Sequence, residues 1–191
     1  MLWSSLKPSN TFKQIGALTS SSSYMASKFV YYSGLKKGHI VLELGAGSGA
    51  ITKKIVDVAN PKDVYCIELD SGFNKDLKKL NVNILNEDAR DLSNLLDDSK
   101  IQRPDIIMSS LPWSLMDYNT QRDIMIEVGK ISKENTIFSA YLYRFNPMKG
   151  KKTFVSLLNE LYEDVQISKT VWLNLPPATI IKARGYKTFI N

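Results

Sequence analysis

Short apolar runs alternate with amphipathic segments along most of the chain. The run HIVLEL at residues 39–44 is mostly apolar and is bounded by glycines, which is typical of a buried strand. The segment at residues 48–59 follows it and places Ile51, Ile55 and Val58 close to one face of a helix. The same change of periodicity recurs further along, so the pattern predicts strands that alternate with helices.

The rest of the chain extends this alternation. Further strands are predicted at residues 63–69, 82–86, 104–110, 135–143, 164–174 and 178–190. Helices are predicted at residues 22–33, 72–80, 89–98, 120–131 and 152–162. Strands that are joined by helices pair in parallel through right-handed crossovers, whereas the last two strands have no helix between them. We therefore expect an α/β fold: a doubly wound, mostly parallel seven-stranded sheet with an antiparallel last strand. It should form a single domain over residues 1–191, with an N-terminal helical segment at residues 1–36.

Composition narrows the class of protein only slightly. The 191 residues are 43% hydrophobic and 23% charged, and the net charge of +6 favours anionic partners such as nucleic acid, a membrane surface or phosphorylated substrates. Cys66 and His39 are the only residues of their types, which excludes an intramolecular disulfide and a Cys/His zinc site, and we expect no metal. No apolar run approaches the ~18 residues of a membrane-spanning helix, and the N-terminus lacks the core of a secretory signal. We expect a cytoplasmic protein.

The loop after the first predicted strand carries the strongest functional signal. Its sequence GAGSG, at residues 45–49, suits a tight turn that brings backbone close to a ligand. Glu68 ends the second strand about twenty residues later, where its carboxylate can accept hydrogen bonds from ribose hydroxyls. Asp88 and Ala89 follow the third strand and can meet an adenine edge. A glycine-rich loop alone is compatible with a purely structural turn, but these elements in register favour a cofactor site.

The glycine spacing resembles a particular family. The pattern G-x-G-x-G, with Glu43 two residues before the first glycine, resembles motif I of class I S-adenosylmethionine (SAM) methyltransferases more than the G-x-G-x-x-G of NAD-binding proteins. The resemblance implies SAM as the cofactor and S-adenosyl-L-homocysteine as its product. It also implies that Glu43 faces the methionine amino group and that Glu68 holds the ribose. The full set of expected cofactor-binding residues is Ser21, Ser22, Glu43, Gly45, Ala46, Gly47, Gly49, Glu68, Leu69, Asp88, Ala89 and Ser109.

The sequence SSLPW at the end of the fourth predicted strand is the expected methyl-acceptor side. It resembles the Asn-Leu-Pro-aromatic element of ribosomal RNA adenine N6-dimethyltransferases, with Ser110 in place of Asn. Two interpretations of Trp113 stay open: its π-face could meet the positive charge of a methylated nitrogen, or the ring could pack in the core. The expected catalytic residues are Ser110, Leu111, Pro112, Trp113 and Tyr24.

Two other segments resemble bacterial phospholipid N-methyltransferases. The stretch QIGALTSSSSYMASKF matches the opening of that family at residues 16–17 and 21–22, and NLPPA at residues 174–178 matches an element near its end. The Leu-Pro step at residues 111–112 is also shared. This resemblance implies SAM-dependent methylation of a phospholipid head-group amine, either phosphatidylethanolamine or its methylated intermediates. RNA adenine methylation and a non-catalytic SAM-binding module remain the alternatives.

Two segments suit an anionic membrane surface. Leu2, Trp3 and Leu6 are spaced for one face of a short helix, and residues 144–152 carry four basic side chains beside aromatic and Met residues. We expect peripheral association with the inner face of the cell membrane, with residues 1–36 covering the cofactor and acceptor sites. The same basic loop would serve RNA phosphates, and the oligomeric state stays open.

Overall fold

One mixed sheet organises the part of the chain that the structure describes. The structure is a computed structural model, which describes residues 22–144 and 150–187. The strands are β1 (Val41–Leu44), β2 (Val64–Ile67), β3 (Asn83–Leu85), β4 (Ile106–Ser109), β5 (Ile137–Tyr143), β6 (Tyr162–Ile167) and β7 (Ala178–Tyr186). Their order across the sheet is β3-β2-β1-β4-β5-β7-β6. The first five strands pair in parallel, whereas β7 pairs antiparallel with β5 and β6. The predicted fold class is confirmed.

Helices cover both faces of this sheet. Those in the described residues are α1 (Ser23–Ser33), α2 (Thr52–Val56), α3 (Asn74–Lys78), α4 (Leu92–Asp98), α5 (Tyr118–Ile131) and α6 (Gly150–Leu161), with short 3-10 helices at Pro61–Asp63, Ser71–Phe73 and Trp113–Leu115. None of the helices in residues 22–144 and 150–187 has the length and apolar character that crossing a bilayer requires.

The buried side chains form two apolar layers, one on each face. Helices α4, α5 and α6 pack on one face, where Leu92, Met125 and Phe154 belong to the same apolar cluster as Leu42 of β1. Helices α1, α2 and α3 pack on the other face, around Phe29 of α1. Because both faces are covered, every residue of β1 and β4 is buried, and these strands therefore appear as continuous apolar runs in the sequence.

Several predicted boundaries differ from those of the structure, and two of the differences arise at turns. The helix predicted at residues 89–98 begins only at Leu92, because the preceding residues form a turn in which the Asp91 amide donates to the Asp88 carbonyl at 3.0 Å. The strand predicted at residues 164–174 runs instead over Tyr162–Ile167. At Ser168 the backbone amide still donates to the Ile180 carbonyl at 2.8 Å, but the Ile180 amide donates to the Ser168 hydroxyl at 2.9 Å. Regular pairing stops there, and an isolated bridge joins Val171 to Ala178.

The topology places a crevice at the carboxyl ends of the central strands. Strand β1 lies between β2 and β4, so the chain leaves β1 in one direction across the sheet and returns to its other side. Ligands of open α/β sheets bind at such a switch point. The backbone ladder continues past the strand ends there, since the Gly45 amide donates to the Ile67 carbonyl at 2.9 Å and the Ser110 amide to the Leu44 carbonyl at 2.8 Å. The glycine loop and the SSLPW segment are therefore adjacent.

Candidate active site

The glycine loop needs glycine for reasons that differ along its length. Gly45, Gly47 and Gly49 all have φ between 53° and 82°, in the left-handed region. A Cβ atom on Gly45 would lie 2.9 Å from Leu111 Cδ2, so the close contact between the two loops requires the missing side chain. A Cβ atom on Gly47 would meet no described atom within 4 Å, so this backbone faces open space. Ala46, between them, is buried.

Glu68 lies beside this open backbone. One carboxylate oxygen accepts from the Gly47 amide at 2.8 Å, and the other accepts from the Asp70 amide at 2.9 Å. Each oxygen keeps a further lone pair, so the carboxylate can also accept hydroxyl hydrogens. Leu69 follows it with half of its surface exposed, which leaves an apolar side chain available at the same edge.

Glu43 is completely buried on the face of β1 that α1–α3 cover. The Thr52 hydroxyl donates to its Oε2 at 2.6 Å, while Oε1 has no hydrogen-bond partner among the described residues. Burial raises the pKa of this carboxyl from 4.5 to about 8, against the opposing effect of the Thr52 hydrogen bond. Glu43 is therefore largely protonated at neutral pH. Cys66, its buried neighbour, lies in the core, as its position in a predicted strand indicates.

Asp88 is held by a partner that the sequence pattern did not reveal. The Arg90 guanidinium binds both of its oxygens, with Nη2 at 2.6 Å and Nε at 3.0 Å, and the Arg90 amide adds a third hydrogen bond at 2.9 Å. Burial acts to raise the pKa of Asp88, but these hydrogen bonds hold it below its ordinary value. Ala89 is buried in the core layer beside it. The adenine contact stays a prediction for this pair.

The segment after β4 turns sharply against the glycine loop. The Ser110 hydroxyl is buried and has no hydrogen-bond partner among the described residues. The Trp113 amide donates to the Leu111 carbonyl at 2.8 Å, and exposed Pro112 precedes the 3-10 helix Trp113–Leu115. Ser109 is buried, and its hydroxyl accepts from Trp113 Nε1 at 3.0 Å. Ser110 is thus the free polar group at this edge, whereas the Ser109 hydroxyl already has a structural partner.

Trp113 packs in the core, so its predicted contact with a methylated nitrogen is wrong for this structure. Its side chain is fully buried and stacks on Phe154, with ring centroids 4.1 Å apart. Phe138 meets it edge-on at 6.1 Å. With its neighbours in these positions, the indole presents no face to the acceptor side. The other interpretation of Trp113, core packing, is the one that the structure supports.

Gln121 is a structural residue of the site that the sequence analysis missed. It is fully buried in α5, and its side-chain amide donates to the carbonyls of Trp113 at 2.7 Å, Gly150 at 2.9 Å and Met116 at 3.3 Å. Gly150 sits so close that a Cβ atom there would lie 2.7 Å from the Ser114 carbonyl oxygen. Gln121 therefore holds the turn after SSLPW against α6. A polar residue in the apolar stripe of a predicted helix was the available signal.

The described part of the N-terminal segment makes structural contacts and lines a cleft beside the β6–β7 loop. Ser22 caps α1 by accepting from the Met25 amide at 3.1 Å, and its own amide donates to Asn174 Oδ1 at 3.1 Å, so it serves a structural role. Tyr24 lines a separate cleft of about 490 Å³ between α1 and the β6–β7 loop. Among the described residues, the lining of that cleft includes none from the glycine loop or SSLPW, and the catalytic role of Tyr24 stays a prediction. Ser21 lies outside the described residues.

The described residues contain no group of three or more His, Cys, Asp and Glu side chains that could hold a metal ion. A buried carboxyl with an unpaired oxygen, an open glycine backbone and a carboxylate beside it converge at the switch point instead. These groups suit SAM. The two carboxyl groups can accept hydrogen bonds from its ammonium and its ribose hydroxyls, and the glycine backbone can lie against the rest of the cofactor. The fold and the crevice together define a class I SAM-dependent methyltransferase.

Comparison with known proteins identifies the family. The sequence model of the ribosomal RNA adenine dimethylase family matches residues 21–127. The chain is 30% identical over 184 residues to ornithine lipid N-methyltransferase of Singulisphaera acidiphila, an alignment that covers 91% of this chain and 90% of that protein. It is 32% identical over 117 residues to ribosomal RNA small subunit methyltransferase A of Wolbachia pipientis, which covers 58% of this chain and 38% of that protein. The chain belongs to the ribosomal RNA adenine dimethylase family and is a SAM-dependent N-methyltransferase.

Solved structures agree on the fold. Precorrin-6y C5,15-methyltransferase of Geobacter metallireducens superposes with a TM-score of 0.64 at 15% identity, over 85% of this chain and 88% of that one. Precorrin 8w decarboxylase of Methanobacterium thermoautotrophicum gives a TM-score of 0.62 at 16% identity, over 84% and 89% of the two chains. At these identities the likeness concerns the architecture alone.

Proposed function

We propose that this enzyme transfers the methyl group of SAM to the amine of a lipid head group. The observation that carries the proposal is the nearly full-length match to ornithine lipid N-methyltransferase, which spans 91% of this chain and 90% of that protein. Phosphatidylethanolamine and ornithine lipid both carry a primary amine on a flexible chain, and they are the two head groups to test. The resemblance of the NLPPA segment to phospholipid N-methyltransferases adds independent support.

Three elements of the crevice would hold the cofactor. Glu68 would accept the ribose hydroxyls beside the open backbone of Gly47, with which it already shares a hydrogen bond of 2.8 Å. The unpaired Oε1 of Glu43 would meet the methionine ammonium. The positive ammonium favours the ionised form of Glu43, so binding of SAM would release the carboxyl proton and pair the two charges.

The acceptor amine must reach the methyl group as a free base. Methyl transfer from a sulfonium is an in-line displacement: the nitrogen lone pair forms the new C–N bond while the C–S bond breaks. An alkyl amine has a pKa of ~10, judged by lysine, and removal from water favours its neutral form. The Ser110 hydroxyl, which lacks a partner among the described residues, would accept an N–H hydrogen and direct the lone pair. Aligning the amine in this way is the main task of the protein.

RNA adenine methylation is the second candidate, because the family model and the SSLPW segment both favour it. In that reading, the aromatic residue after Leu-Pro stacks on the target base. Here the indole of Trp113 is buried and already stacked on Phe154, so it offers no face on which a target base could stack in this conformation. The buried position of Trp113 therefore favours a lipid amine over adenine as the methyl acceptor.

The test is methylation by the purified protein with labelled SAM. One sample receives vesicles that contain phosphatidylethanolamine, a second receives vesicles with ornithine lipid, and a third receives ribosomal RNA. We expect a methylated lipid, identified by mass spectrometry as a gain of one or more methyl groups, and unlabelled RNA. Labelled RNA with no methylated lipid would reject the proposal in favour of the second candidate.

A serine variant tests the acceptor role within the same assay. Ser110→Ala should lower kcat for the lipid by about tenfold, the value of one hydrogen bond to a group that gains charge, and leave SAM affinity unchanged. Ser99→Ala, at the exposed end of α4, is the matched control and should behave as wild type. Equal turnover of the two variants would remove Ser110 from the acceptor site.

A further inference from the structure

The segment between β6 and β7, residues 168–177, carries three strongly exposed apolar side chains. Trp172 is 61% exposed, Leu173 72% and Leu175 86%. Apolar residues this exposed and this close in sequence usually mark a contact with a partner or a membrane. The predicted strand through this segment is absent, so these side chains do not serve a sheet face.

The register of the sheet places this segment at the catalytic edge. Ala178, the first residue of β7, pairs with Tyr143 at the carboxyl end of β5, and β5 pairs with the end of β4 through Ala140 and Ser109. Residues 168–177 therefore lie at the same edge of the sheet as the SSLPW turn. The Arg144 amide, just beyond β5, donates to the Pro177 carbonyl at 2.6 Å.

The segment is held in place rather than loosely tethered. Buried Asn174 accepts from the Ser22 amide at 3.1 Å and donates to the Pro176 carbonyl at 2.8 Å. The Arg144 guanidinium lies 5.0 Å from the Trp172 ring centroid and donates to the Thr170 hydroxyl at 2.8 Å. These contacts join the segment to the start of α1 and leave its apolar side chains pointing outward.

The two segments that form this surface carry only positively charged side chains. Neither α1 nor residues 168–177 contain an Asp or Glu, and Lys28 and Lys169 line the cleft between them. Exposed Tyr31 of α1 borders the same cleft. Burial, and then the nearby charge of Arg144, lower the pKa of Lys151, which places a further cation close by. Exposed aliphatic and aromatic groups flanked by cations match the interface of an anionic bilayer.

We propose that residues 168–177, together with the exposed face of α1, form the surface by which this protein docks on an anionic phospholipid bilayer. Trp172, Leu173 and Leu175 enter the head-group region, and Lys28 and Lys169 contact lipid phosphates. Docking at this edge brings the amine of a membrane lipid to the crevice. The role of this surface in catalysis therefore rests on the proposed function. The two leucines favour a bilayer over RNA, because a leucine side chain offers no face on which a base can stack.

Vesicle sedimentation tests the surface without requiring catalysis. Wild-type protein should sediment with phosphatidylcholine vesicles that contain phosphatidylglycerol, and the triple variant Trp172→Ala/Leu173→Ala/Leu175→Ala should bind at least about tenfold more weakly. Val58→Ala, an exposed apolar position beyond α2, is the control and should sediment as wild type. Equal SAM affinity by calorimetry establishes that each variant is folded. Unchanged sedimentation of the triple variant would overturn the proposal.

Charge variants test the electrostatic contribution of the two lysines to binding of the bilayer. Lys28→Gln/Lys169→Gln should weaken binding by about fivefold per lysine at low salt, and the loss should shrink as salt rises. Lys36→Gln/Lys62→Gln removes the same charge near the opposite edge, beyond the end of α1 and before β2, and should weaken binding less. Equal losses in the two pairs would mean that the net charge, not this surface, attracts the bilayer.

Two further measurements separate this proposal from the proposed function. The triple variant should lose methylation of vesicle lipid while it keeps methylation of a short-chain amine lipid below its micelle concentration. Wild-type protein that sediments yet methylates neither lipid would reject the proposed function and leave the docking surface standing. Wild-type protein that does not sediment, with RNA binding that the triple variant loses, would assign the surface to RNA and reject the bilayer.

Discussion

The buried carboxyl of Glu43 makes the stability of this protein depend on pH in a way that one substitution should remove. Its pKa in the folded protein is raised from 4.5 to about 8, chiefly by burial. The folded protein therefore holds a proton that the unfolded chain releases between these values. Its contribution to the free energy of unfolding is fully present below pH 4.5 and is lost as pH rises through about 8.

The size of the effect follows from the pKa values. Each pKa unit corresponds to about 1.4 kcal/mol, so the loss between pH 5 and 8 is about 4 kcal/mol, and it levels off near 5 kcal/mol at higher pH. Glu43→Gln keeps the shape and a carbonyl oxygen for the Thr52 hydroxyl, but it cannot ionise. Relative to wild type, the variant should gain about 1.4 kcal/mol per pH unit across this range, since all other titrating groups cancel in the difference.

Urea denaturation at constant ionic strength, at each pH from 5 to 9, measures this difference. The m-values of the two proteins should agree, so that the shift in midpoint reports stability alone. Glu134→Gln, at an exposed position, is the control for the loss of one carboxylate from the surface. A flat difference for Glu43→Gln would refute the reasoning, because it would mean that the carboxyl is not buried in its neutral form. The same variant should bind SAM more weakly if Oε1 contacts the ammonium, as calorimetry would show.

Three other substitutions have defined outcomes. Glu68→Ala should weaken SAM binding by about tenfold or more in calorimetry, because hydrogen bonds to a carboxylate are lost, and equal affinity would reject the ribose role. Gly45→Ala should cost about 1–3 kcal/mol in urea denaturation, since its φ of 76° and the 2.9 Å approach to Leu111 both oppose a side chain; an unchanged midpoint would contradict this. Trp113→Ala should cost about 3–5 kcal/mol because it empties a fully buried, stacked site, and a loss below ~1 kcal/mol would contradict the core position.

The sequence alone predicted the sheet and the glycine loop at its edge because these depend on local patterns. Apolar runs that alternate with helical periodicity determine which segments become strands, and β1 and β4, buried on both faces, produce the clearest runs. The glycine loop is equally local, since the left-handed φ of Gly45 and Gly47 is a property of the residue type. Glu68 follows from its place at the end of the next strand. These features do not depend on how side chains that are distant in the sequence are arranged.

Tertiary structure decided the roles that depend on residues far apart in the chain. Trp113 became a core residue because Phe154 of α6 stacks on it, and Gln121 became the support of the turn because three carbonyls converge on its amide. The run at residues 168–174 has the apolar content of a strand but lies exposed at the sheet edge, and apolar content alone does not distinguish a buried position from an exposed one. Local sequence therefore determined the elements and the glycine loop. Packing between distant segments determined which side chains reach the crevice, which fill the core and which face outward, because burial is a property of the assembled neighbours.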